Sequence, residues 1–144
     1  MEAQRLALQS ALRAWRPDVA DRFGALLLEF ADLEALTPEI AEYRGCVLNK
    51  KALDSAYLAD WFSDKYSDEQ REYVLNHVHL WDVICVGAGQ SREEIVNSEL
   101  REFLPVLADF WRWRFAQQSS LPITVWTVDD PEEYGPTIGF GLER

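Results

Sequence analysis

The chain has few cysteines, two in 144 residues, and neither Cys46 nor Cys85 belongs to a C-x-x-C pair. A chain this long buries enough surface to fold without a disulfide or structural metal, so both are expected to be reduced thiols in a cytoplasmic protein. There are only two histidines, His77 and His79, too few for a multi-histidine metal centre. No hydrophobic run approaches the ~20 residues of a membrane span. The first residues, Met1-Glu2-Ala3-Gln4-Arg5-Leu6, lack the apolar stretch of a secretory signal. Basic residues are also scarce, 14 against 25 acids, for a net charge of −11. Nucleic-acid binding, which runs on Lys and Arg, is therefore not expected.

The composition is otherwise that of an ordinary folded chain, 48% hydrophobic and 27% charged. With no repeat and no linker, residues 1–144 read as a single globular domain. Leu8, Ala11, Leu12 and Trp15 share one helical face, and Arg16-Pro17 breaks that helix. Pro17 can open the next, with Val19, Phe23, Leu26, Leu27, Phe30 and Leu33 as its apolar stripe. Thr37-Pro38-Glu39 reads as a helix start and Gly45 as its stop. Leu53, Tyr57, Leu58, Trp61 and Phe62 also fall at helical spacing.

Ser67-Asp68-Glu69-Gln70 is a capping box for a helix running towards Val86, and Gly87-Ala88-Gly89 stops it. Ser91-Arg92-Glu93-Glu94 is a second box. It opens a long helix through Val96, Leu100, Phe103, Leu107 and Trp111 to Phe115, kinked at Pro105. The period then changes. Ile123–Val128 is rich in β-branched residues, and Thr137–Leu142 alternates Ile138, Phe140 and Leu142 with glycines. The expected fold is mainly α, of the α+β class. It is a multi-helix bundle with a C-terminal antiparallel β-hairpin packed on it and a third short strand near Cys46–Leu48.

His77-Val78-His79 is the pattern that most resembles a metal chelate. On a strand the two rings would share a face, but on a helix they lie about 200° apart. Since the surrounding periodicity is helical, no metal site is expected, and no cofactor motif appears. His77 then falls on the apolar arc. His79 joins Glu72, Asn76 and Asp82 in a polar stripe that has the residue types of acid–base chemistry. No nucleophile motif accompanies it, so no catalytic residue is assigned. The acidic turn holds Asp129, Asp130, Glu132, Glu133 and Tyr134, and Trp113 lies between Arg112 and Arg114. These six residues, Trp113 included, are the expected contacts for a basic protein surface. Trp15, Trp61, Trp81 and Trp111 are expected in the core.

Size, acidity and the absence of catalytic motifs favour a non-catalytic binding module, of the immunity- or inhibitor-protein type, engaging a basic partner. One alternative is a helical subunit of a homo-oligomer. Another is a small enzyme or ligand-binding protein using Glu72, His79 and Asp82, with Cys85 as a further candidate.

Overall fold

The structure, a computed structural model, describes residues 2–84, 90–130 and 134–144, with the side chains of all of these except 90–95. Helix α1, Glu2–Trp15, buries Leu8 and Leu12. Arg16 is extended ahead of the proline, and Pro17 opens α2, Pro17–Arg22. A four-residue α3, Gly24–Leu27, follows. The helix expected to continue to Leu33 stops there. The stripe still reaches the interior: Val19, Phe23, Leu26, Leu27, Phe30 and Leu33 are all buried, the last two from irregular chain.

The helix expected from Thr37 is instead a hairpin. Strand β1, Ile40–Tyr43, pairs antiparallel with β2, Cys46–Asn49. Both residues of the connecting turn have positive φ, Arg44 at 48° and Gly45 at 83°. That is the two-residue turn whose twist suits a hairpin, and Gly45 is there for its φ rather than to end a helix. A strand does form at Cys46–Leu48, but its partner is β1, not the C-terminal hairpin. The next helical spacing resolves into a 3₁₀ turn, Lys50–Asp54, and a short α4, Leu58–Trp61.

Helix α5, Asp68–Asn76, starts at the expected box, with Ser67 Oγ accepting from Gln70 N and the Gln70 side chain accepting from Ser67 N. It ends ten residues short of Val86. His77 is extended, and Val78–His79 form strand β3, followed by a 3₁₀ turn at Leu80–Val83. The reason is tertiary: the backbone of β3 pairs with Ile138 and Thr137 of the last strand. Helix α6, Gln90–Gln118, runs unbroken through Pro105. The glycine stop at residues 87–89 lies outside the described residues. Strands β4, Ile123–Asp130, and β5, Gly135–Leu142, pair in register with β3 on the far side, giving the order β3-β5-β4. The class is α+β.

The main core gathers α6 against α1, α2, α3, β4 and β5. Trp111 is at its centre, fully buried, with its indole N–H donating to the Leu36 carbonyl at 2.9 Å. Trp15 and Trp81 pack against this core half-exposed. Trp61 does not join it and packs against Tyr66 instead, the two rings tilted at 44°.

Two buried polar residues on successive turns of α5 tie the two sheets together. Asn76 accepts from Asn49 N at 2.7 Å and donates to the carbonyls of Val47 (2.7 Å) and Phe140 (2.9 Å). Glu72 accepts from Val47 N at 2.8 Å and Leu142 N at 3.2 Å, and it pairs with Arg144. These side chains satisfy backbone groups that no strand reaches.

Candidate functional site

The early end of α5 decides the geometry of both histidines. With His77 extended and His79 on a strand, the rings do not diverge as they would on a helix. Their Nε2 atoms face each other at 3.1 Å. The expectation of opposed directions is thus overturned, because it rested on a helix that is not there. His77 Nδ1–H donates to the Tyr73 and Val74 carbonyls, at 2.8 and 2.9 Å, and so caps the last turn of α5. A carbonyl only accepts, so that proton is fixed on Nδ1 and the neutral ring keeps a lone pair on Nε2. His79 Nδ1 lies 2.9 Å from the hydroxyl of Thr137, which in turn lies 3.2 Å from the Gly135 carbonyl. Burial holds His79 below the ordinary imidazole range, and the neighbouring His77 adds to this. The Asp82 carboxylate works the other way.

Aromatic rings extend the pair in both directions. Tyr73 stacks on His77, at 5.4 Å between ring centres, and its ring is nearly parallel to that of Trp126 at 5.0 Å. On the other side Tyr134 stacks on His79 at 4.7 Å. The result is a continuous row, Trp126–Tyr73–His77–His79–Tyr134. Tyr73 is 52% exposed and Tyr134 66%, so the row is open to a partner. Acids border it. Glu69 shares a depression with Tyr73, Trp61 and Tyr66, and Glu143 shares another with Tyr73 and Trp126.

No protein-family model, curated protein or solved structure matches this chain. The reading therefore rests on the geometry of these residues.

Of the residues expected from the sequence, Tyr134 belongs to the row. Asp129 pairs with Arg101 of α6 at 3.1 Å, and Asp130 is half-buried at the end of β4. Glu132 and Glu133 lie outside the described residues. Trp113 is not an exposed anchor, because it packs half-buried on the main core beside Phe110. The polar stripe is dispersed: Glu72 and Asn76 are buried between the sheets, whereas Asp82 is exposed. Cys85 lies outside the described residues. Among the described residues, no three or more His, Cys, Asp or Glu side chains converge as metal ligands, and no helix is long and apolar enough to cross a membrane.

Tyr73, Trp126 and Thr137 are the members of the site that sequence reasoning missed. One signal for Trp126 was available. A glycine inside a strand, here Gly139, often marks the close approach of another group.

Proposed function

We propose that this protein is a non-catalytic binding module, and that the aromatic row flanking His77 and His79 receives Lys or Arg side chains of a basic protein partner. The observation that carries the reading is the exposed Tyr73 and Tyr134 at the two sides of the histidine pair, in a chain of net charge −11. Tyr73 has its faces against Trp126 and His77 and so offers its ring edge and hydroxyl. Tyr134 offers a guanidinium or ammonium group the face turned away from His79, and the neighbouring carboxylates of Glu69 and Glu143 add Coulombic complementarity. Aromatic residues at the centre of a contact with charged residues at its rim are the usual distribution of binding energy in protein interfaces. Asp129 and Asp130, with Glu132 and Glu133, extend the acidic character along the β4–β5 connection and favour encounter rather than residence.

The test separates this site from the bulk charge. Binding to an immobilised Arg- and Lys-rich peptide is measured by surface plasmon resonance for the wild type and for Tyr73→Ala Tyr134→Ala, which has the same net charge. The expected result is at least tenfold weaker binding in the double variant, with the salt dependence retained. Equal affinity would mean that the peptide reads only the overall charge, and the assignment of the row would fall.

A further inference from the structure

We propose that His77 and His79 bind one divalent transition-metal ion of the imidazole-preferring kind, such as Zn²⁺, Cu²⁺ or Ni²⁺, through their two Nε2 atoms. The inference stands on the histidine geometry and does not depend on the basic-partner reading.

Spacing is the first argument. Metal–imidazole bonds of about 2.0–2.1 Å from two nitrogens 3.1 Å apart subtend roughly 98° at the metal, within reach of tetrahedral or octahedral coordination. Ring placement is the second. A straight N–H···N bond of that length would hold the two ring centres about 5.4 Å apart. They are 4.6 Å apart, with an interplanar angle of 73°. The rings are therefore tilted off the nitrogen–nitrogen line. The proposed ion sits to one side of that line, where the two lone pairs are to meet it.

The outer hydrogen bonds are the third argument: that of His77 is already that of a metal ligand, and that of His79 becomes so when Thr137 reverses. Metal-bound histidines hold their other ring nitrogen against a carbonyl, carboxylate or similar acceptor, which fixes tautomer and orientation. His77 Nδ1 does so against two main-chain carbonyls, and His79 Nδ1 lies against the Thr137 hydroxyl. Thr137 can take either direction. In the metal-free neutral pair, His79 carries its proton on Nε2 and donates to His77 Nε2, while the Thr137 hydroxyl donates to His79 Nδ1. On metal binding that proton is relocated to Nδ1 and donates to Thr137 Oγ1, whose own hydrogen turns to the Gly135 carbonyl at 3.2 Å. The neutral pair loses no proton overall, and both Nε2 lone pairs become free for the ion.

Among the described residues no third His, Cys, Asp or Glu completes the set, so water fills the other positions. The affinity is accordingly well below that of a four-ligand structural site. Both histidines are partly exposed rather than sealed in the core.

The experiment is calorimetric titration of the full chain with Zn²⁺ in a non-coordinating buffer, repeated with His77→Gln, His79→Gln, the double variant and Thr137→Val. The wild type is expected to take one ion per chain. Each single histidine variant should bind at least tenfold more weakly, and the double variant should not bind. Thr137→Val should lose about 10–100-fold, as outer partners of a metal ligand do. Long-range nitrogen–proton spectra of the wild type decide the matter independently of whether a variant folds. Zn²⁺ should shift Nε2 of both rings and place the His79 proton on Nδ1. An ion bound equally by the double variant, or spectra in which neither Nε2 responds to Zn²⁺, would overturn the assignment.

Discussion

Gly139 of β5 lies directly beneath the indole of Trp126, its paired residue on β4, so closely that a Cβ on Gly139 would overlap the ring. The other face of the indole is covered by Tyr73. Trp126 is thus held between a bare stretch of backbone and a tyrosine, and the aromatic row begins from that slot.

Gly139→Ala should therefore eject the indole and break its stacking on Tyr73. The expected cost is about 1–3 kcal/mol in a urea melt, together with loss of the near-ultraviolet dichroism of the stacked pair. Adding Trp126→Ala should recover part of that cost, since the clash then has no ring to meet. An unchanged melt and spectrum for Gly139→Ala would mean the slot is not as tight as described.

Asn76→Ala removes one side chain and leaves the Asn49 N–H and the Val47 and Phe140 carbonyls without their partner. Each buried group stranded in this way costs about 1–3 kcal/mol, so a loss of ~3 kcal/mol or more is expected. Substitution of the exposed Asp82 by Ala should stay within about ±0.5 kcal/mol. Equilibrium denaturation of both variants checks the contrast.

Asp68 titrates below the ordinary carboxylate range. The Cys46 thiol that donates to it is the first cause, and Arg71 and Arg144 add to it against the opposing effect of burial. Its folded pKa lies below the unfolded one. Its stabilisation is therefore complete above the unfolded value of about 3.9 and is lost as pH falls through the folded value. Asp68→Asn should lower the melting temperature at neutral pH and make the decline into acid shallower. Parallel curves for the two proteins would contradict the sign.

Burial, and then the hydrogen bond to Asp68, push the Cys46 thiol up to about 11. Since the thiolate is the nucleophile, native Cys46 should be nearly inert to a disulfide reagent at neutral pH. In a Cys85→Ser variant, where Cys46 is the sole thiol, labelling should be slow in buffer and fast in urea. Equal rates would mean that the thiol is exposed.

What could be read from the sequence was local. The Ser67–Gln70 box, the proline start at Pro17, the helix through Pro105 and the β-rich stretches at Ile123–Val128 and Thr137–Leu142 each carry their signal within a few residues. The end of α5 does not. Residues 73–85 keep a helical period, and no glycine or proline interrupts it before residue 87. The helix stops because Asn76 is committed to Val47 and Phe140 and because the backbone of Val78–His79 pairs with β5. That one missed boundary reversed the reading of the histidines. Thr37-Pro38-Glu39 was misleading in the same way, since the positive φ of Arg44 and Gly45 outweighs a helix-start pattern upstream. Trp113 shows the converse: flanking arginines suggested exposure, but its position on α6 puts it over Phe110.

The bridge that Glu72 and Asn76 make between the sheets also has a bearing on association. Strand β3 runs alongside β5 only at Thr137 and Ile138, and beyond them it is the side chains of α5 that occupy Phe140 O and Leu142 N. The same two residues cover Val47 on β2. An open strand edge is a template for pairing with other chains. Helix α5 thus acts as an edge guard for two sheets at once, and a local opening that lifts it away exposes two pairing edges together, even while the strands themselves remain folded.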